Sequence, residues 1–373
     1  MGIKIREATR SDNNALIELF RVKMGNTIQV SLERNEDFFL YQKIQFIKNG
    51  KSFVIVNTKT DDIEGCFSIG LKRMSIDGNK KYFQYLSDLR ISDRFQGRNL
   101  LIKVLKYIKD NHLINPYLPC ITLSLSDNQL YHSMSDKSFN PELRKRFDIP
   151  SMFKWRTLIT NFIPVNCPNK LDRKKYFVRK AAVSDLKDLN VFLDKQRSQN
   201  IISEYFNVNN LASEYYTGLD INSFYLAFKN NSIVGVAAIW DQQIFKQTVI
   251  RGYSKLFNII RPMLNVLSPI TGYSKLPRPG NQITYDVMSH KVIDKKHFGS
   301  VYAIASEMLK EIEKKGKMFL MVGSDKYSPE LDEIKKFKSR REVEGILYQL
   351  NFSNDDNYFY IDTPFINLEI SRI

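Results

Sequence analysis

The strongest constraint on this chain is that it repeats itself. Ile5-Arg6-Glu7-Ala8-Thr9-Arg10-Ser11-Asp12 is echoed by Val178-Arg179-Lys180-Ala181-Ala182-Val183-Ser184-Asp185, with Arg, Ala, Ser and Asp recurring 173 positions on. In both copies a short apolar strand leads to Ser-Asp, a helix N-cap pair. An amphipathic helix follows, carrying Ala15, Leu16, Leu19 and Phe20 in one copy and Leu186, Leu189, Phe192 and Leu193 in the other. Ser52-Phe53-Val54-Ile55-Val56 with Ile63-Glu64-Gly65 then matches Ser223-Phe224-Tyr225-Leu226-Ala227 with Ile233-Val234-Gly235. Each is an apolar hairpin around a polar turn, Asn57 to Asp62 and Lys229 to Ser232. Whatever unit the first copy builds, the second builds again.

Further along, Ser87 and Gly97 are matched by Ser289 and Gly299, now 202 positions on. The larger offset places an insertion of about thirty residues in the second copy, longer than an ordinary loop. Two units of this size suit 373 residues, which exceed one ordinary core. The proline-bearing polar stretch Ile163 to Lys170 separates them. The expected domains are residues 1–168 and 169–373, the second with a helical insertion at about 243–280.

Hydrophobic residues make up 43% of the chain, enough for packed cores, so disorder is not the default. Three scattered cysteines, Cys66, Cys120 and Cys167, and 4 histidines argue against a disulfide framework or a zinc site. The start lacks an apolar signal core and no apolar run reaches eighteen residues, so a cytoplasmic protein with reduced thiols is expected. The net charge of +16 points to an anionic partner without choosing among nucleotide, nucleic acid, acidic substrate and membrane surface.

The segment from Leu89 to Leu101 narrows that choice. Leu89-Arg90-Ile91 reads as a strand end, Ser92 to Asn99 as a polar turn, and Leu100 to Asp110 as a helix with Leu100, Leu101, Val104, Leu105 and Ile108 on one face. Backbone N–H groups in such a turn and at the helix start form a cradle for pyrophosphate. The stretch resembles motif A of the GNAT superfamily, the acetyl-CoA-dependent N-acyltransferases. Phe95-Gln96-Gly97-Arg98 stands where these proteins often carry an aromatic, a Gln or Arg, a Gly and a basic residue. The two signature glycines of that motif are Asn99 and Leu101 here.

The resemblance implies a mixed α/β (α+β) chain of two tandem GNAT-like domains, each a mostly antiparallel sheet flanked by helices. It implies acetyl-CoA or another acyl-CoA as cofactor, held in the first domain by Leu89, Arg90, Ile91, Gln96, Gly97, Arg98, Asn99, Leu100 and Leu101. The reaction would be acyl transfer to a primary amine by direct attack. Asp88 is the candidate base, and Tyr131, after the expected strand Cys120 to Leu125, the candidate acid. The second copy keeps one glycine in Lys295-Lys296-His297-Phe298-Gly299-Ser300, and His290 there is a base or a structural histidine.

Other readings stay open. The charge also suits a Fem-type transferase using aminoacyl-tRNA, and the missing glycines suit an acyl-CoA-binding protein without turnover. The insertion, read as one or two helices broken at Pro262, has an apolar side and a side with Arg251, Lys255 and Arg261. It would act as a lid, an acyl-chain wall or a membrane contact, or pack its apolar face on the partner domain, the expected arrangement.

Overall fold

The computed structural model describes residues 2–34, 36–95, 100–135, 146–167, 175–197, 202–271, 274–338, 340–352 and 366–372. The first copy supplies strands β1 (Ile3–Glu7), β2 (Ile28–Glu33), β3 (Lys48–Asn57), β4 (Ile63–Ile76), β5 (Asn79–Ile91), β6 (Cys120–Leu125) and β7 (Ser151–Pro164). The second supplies β8 (Phe177–Lys180), β9 (Ile202–Glu204), β10 (Phe224–Lys229), β11 (Ser232–Trp240), β12 (Gln247–Tyr253), β13 (Gln282–Ile283), β14 (Tyr285–Ile293), β15 (Phe319–Asp325), β16 (Arg341–Asn351) and β17 (Ile366–Asn367). Between them lie helices α1 (Asn13–Phe20), α2 (Phe38–Gln45), α3 (Leu100–Asp110), α4 (Gln129–Ser135), α5 (Leu186–Arg197), α6 (Lys255–Thr271), α7 (Gly299–Lys314) and α8 (Pro329–Ile334).

Most strands join one sheet in the order β1-β3-β4-β5-β6-β16-β7-β15-β14-β11-β10-β8. Read inward from either edge the order is the same, five strands of one copy followed by the last long strand of the other. Strand β16 lies against β6 from Gly345↔Leu125 to Leu350↔Cys120, and β7 lies against β15 from Phe319↔Pro164 to Asp325↔Leu158. The two exchanged strands pair with each other along the middle of the sheet. A second, three-stranded sheet, β13-β12-β2, ties the insertion of the second copy to the first.

The repeated residues do the same work twice. Arg6 grips Asp12 with two bonds of 2.7 and 2.8 Å, and Arg179 grips Asp185 with two of 2.7 Å. Each Asp also accepts a backbone N–H at the following helix start, from Thr9 or Ala182, at 2.7 Å. The guanidinium hydrogen bonds hold both carboxyls down at about 2. Because the folded value lies below the unfolded one, this stabilisation is complete above about pH 4 and fades as pH falls towards 2. The double substitution Asp12→Asn with Asp185→Asn should cost about 1–2 kcal/mol at neutral pH in urea unfolding and flatten the acid limb of the stability profile. An unchanged acid limb would show that these caps do not drive it.

The insertion departs from expectation in two ways. Helix α6 runs unbroken through Pro262, which removes only the hydrogen bond that residue 262 would donate to the carbonyl of Asn258, and Asn258 is exposed to water instead. The insertion does lie against the first copy, with Ser254 N–H donating to the Thr27 carbonyl at 2.9 Å, but its apolar face points outward rather than into the partner.

Candidate functional site

A bulge sits at the same place in each copy. Between β4 and β5, Cys66 pairs with Arg90 and Ser68 with Ser87, so Asp88 and Leu89 together oppose Phe67. Between β11 and β14, Val236 pairs with Val292 and Ala238 with Ser289, so His290 and Lys291 oppose Ala237. The first bulge residue is left-handed in both, Asp88 at φ 53° and His290 at φ 50°, residue types that tolerate that region.

Beyond each bulge the neighbouring parallel strand departs. Strand β5 pairs with β6 only over Gln84 to Leu86, and β14 with β15 only over Tyr285 to Met288. The divergence follows from the other partners. The end of β5 stays on β4, with Ser92 N–H donating to the Glu64 carbonyl at 2.8 Å, while β6 is held by β16 as far as Leu125. A strand pair pulled apart this way leaves main-chain groups of both strands facing a gap.

The two gaps differ. In the second copy the segment 366–372 crosses it: Asn367 Nδ2 donates to the Lys291 carbonyl, a Glu369 carboxylate oxygen accepts the His290 N–H, and the Ile366 N–H donates to Asp325 at 3.1 Å. Ile370 lies against Gly323, where a Cβ would come within 2.2 Å of it, so only glycine leaves the room. Among the described residues, no segment of the chain crosses the gap of the first copy.

Asp88 marks one side of that open gap. Its buried carboxylate binds Arg34 Nη2 at 2.9 Å, and the Arg34 guanidinium lies 4.0 Å from the ring centroid of Tyr41 and 4.8 Å from that of Phe20. Tyr131 is buried in the core on the α3 face of the sheet, near Thr122, the residue opposite Leu86, and its ring lies 5.5 Å from that of Tyr348. Burial pushes the Tyr131 hydroxyl up to about 12.

A buried polar network joins this site to the second copy. Lys246 Nζ donates to the Ser371 carbonyl at 3.0 Å and Lys72 Nζ to the Arg372 carbonyl at 2.9 Å. Arg372, fully buried, lies 3.2 Å from Glu204, donates to the Tyr215 carbonyl at 2.7 Å and meets His290 Nε2 at 3.3 Å. His290 is boxed by Phe206, Tyr216 and Trp240, and burial with the nearby Arg372 charge holds it neutral, well below the ordinary histidine value. Desolvation likewise lowers Lys246 to about 7 and Lys72 to about 8. The unfolded chain therefore binds more protons than the folded one above about pH 7, and stability should climb as pH rises towards the ordinary lysine value. Denaturant unfolding across that range should give a shallower slope for Lys246→Met than for the parent, and equal slopes would exclude Lys246 as the source.

No family model matches the chain, and no curated protein sequence is similar enough to match it. Solved structures do match. Saccharomyces cerevisiae N-myristoyltransferase with bound myristoyl-CoA and inhibitors superposes with a TM-score of 0.60 at 8% identity, over 98% of this chain and 82% of that one. A GCN5-related glucosamine N-acetyltransferase region of a fungal multi-domain β-N-acetylglucosaminidase gives 0.55 at 11% identity, over 94% of this chain and 38% of that one. The chain has a GNAT-like fold.

On this GNAT-like frame the residues singled out in the sequence fall as follows. Leu89 and Ile91 line the end of β5 past the last pair with β6, both half-buried against the α3 core. Arg90 turns to the opposite face, 5.3 Å from the Phe20 ring centroid, where desolvation lowers its guanidinium. Leu100 and Leu101 are buried in the core, so only their backbone can face a ligand. Gln96, Gly97, Arg98 and Asn99 lie outside the described residues. Arg34, Tyr41, Lys72, Lys246, Glu204, Glu369 and Arg372 were not anticipated. A trace of them exists in the sequence: Lys72-Arg73 places two adjacent cations in a mostly apolar strand, and Glu369 and Arg372 stand among Leu368, Ile370 and Ile373.

Proposed function

We propose that the protein is an acyl-CoA-dependent N-acyltransferase that holds its acyl donor in the first domain, residues 1–168. The observation that carries this reading is the asymmetry of the two gaps: the second is crossed by the chain's own segment 366–372, the first by no described segment. The edge at Leu89 and Ile91, unpaired on its β6 side among the described residues, suits the amide groups of a pantetheine arm, which extended main chain binds as it would a further strand. The start of α3 at Leu100 suits the pyrophosphate. The similar yeast enzyme, solved with myristoyl-CoA, supports a thioester of coenzyme A as the donor.

When bound, the thioester supplies an activated acyl group. Asp88, beside the gap, accepts the proton of an incoming ammonium group, and Arg34 keeps its carboxylate oriented. Tyr131 retains its own proton because burial holds it at about 12, the state a donor to a leaving thiolate needs. The acceptor is a primary amine and the acyl group acetyl in the simplest case.

Thermal unfolding with acetyl-CoA and with a long-chain acyl-CoA tests the donor. Binding at about 100 times Kd should stabilise by about 2.7 kcal/mol, and no shift with either at millimolar concentration would overturn the proposal. Acyl transfer to a panel of amines then separates an enzyme from a protein that only binds the thioester.

A further inference from the structure

We infer that helix α6 is an interfacial anchor that seats the protein on an anionic lipid surface. The helix is mounted inside out. Its inner side is pinned by polar groups: Asn265 exchanges hydrogen bonds with Leu276 main chain at 3.1 and 2.7 Å, Arg261 donates to the Pro277 carbonyl at 3.0 Å, and Phe257 stacks on Tyr253. Its outer side carries Leu256, Ile259, Met263, Val266 and Ile270, which are 70%, 76%, 57%, 77% and 84% exposed. These residues follow one another at intervals of three and four, so they form one unbroken stripe along 17 residues of helix. Large apolar side chains left this bare in a row mark a contact surface rather than scattered surface chance.

Charge selects the occupant. Residues 242–285 contain no Asp or Glu, although at the chain's average of 40 acidic residues in 373 they would hold about five. The same stretch holds six basic residues, of which Lys255, Lys275 and Arg278 are exposed. An apolar stripe in a stretch whose only charged residues are cationic matches the interface of a membrane bearing anionic headgroups. A symmetric pair of copies meeting on this stripe would bring the same cations together, which disfavours a dimer. Among the described residues no helix is long and apolar enough to cross a membrane, so α6 lies on the surface rather than through it.

Sedimentation of the full chain with vesicles of equimolar phosphatidylglycerol and phosphatidylcholine, against phosphatidylcholine alone, tests this. Binding is expected to the anionic vesicles and to weaken with salt. Replacing Ile259, Val266 and Ile270 together by Ser should lower vesicle affinity at least about tenfold while leaving circular dichroism and Tm unchanged, because all three side chains stand in water. The triple variant Lys255→Gln, Lys275→Gln and Arg278→Gln should lower it about 100-fold at low salt. Absence of pelleting with anionic vesicles, pelleting indifferent to the stripe substitutions, or a concentration-dependent dimer dispersed by them would each overturn the inference.

Discussion

Residues 1–168 expressed without the rest of the chain should not fold. Their last strand, β7, hydrogen-bonds on both sides to strands of the second copy, and the outer edge of β6 is covered by β16. The core under α3 is shared as well, since Ile346, Tyr348 and Leu350 pack there with Leu105 and Ile108. Cutting the chain at this boundary exposes both edges of β7 and the outer edge of β6 and opens the core, which favours aggregation over a native monomer. Co-expression with residues 169–373 should restore a soluble complex, because the exchanged strands need each other and not the covalent link. A cooperative urea transition with near-ultraviolet circular dichroism in the isolated fragment would show that the exchange is dispensable.

Replacing Asp88 by Ala should injure stability and turnover through different causes, and the two can be separated. Both members of the Arg34–Asp88 pair are buried, so the substitution strands a guanidinium charge away from water and should cost about 3–5 kcal/mol in urea unfolding. Loss of the proposed proton acceptor should lower acyl transfer by about 100- to 10,000-fold. The double substitution Arg34→Met with Asp88→Asn removes both charges, keeps a residue type that accepts the left-handed backbone of that position, and should recover most of the stability but none of the activity. Near-normal kcat in any folded variant lacking the carboxylate would remove Asp88 from the reaction. Failure of the double variant to regain stability would show that the Arg34 stacking on Tyr41 and Phe20 matters more than its charge balance.

Much of the architecture was legible because its signals are local. The Arg-Glu-Ala and Arg-Lys-Ala openings fold into matching Arg–Asp clasps, the hairpins turn where polar residues interrupt apolar runs, and α3 and β6 span Leu100–Asp110 and Cys120–Leu125 as the periodicity requires. Even the bulge left a mark, since Ser87 and Ser289 recur in register and are followed by Asp and His, residues that accept a left-handed backbone. The insertion was legible as an amphipathic helix but not in its orientation, because periodicity defines a face without saying what meets it.

Strand order across the two copies could not be read from the chain. Strands β7 and β16 alternate and pair as strands of either copy would, and nothing in their residues states that each joins the other copy's sheet. The same holds for Arg372, whose burial against Glu204, Tyr215 and His290 brings it to positions 82 or more residues away in sequence. The amino-acid sequence by itself determined the repeated unit, its hairpins, its caps and its bulges, all set by side-chain spacing and backbone preference within a few residues. Only the tertiary structure decided which strands were exchanged, that segment 366–372 crosses one gap, and that the apolar face of α6 looks outward. Those outcomes depend on which distant surfaces bury each other, a competition that local propensity does not enter.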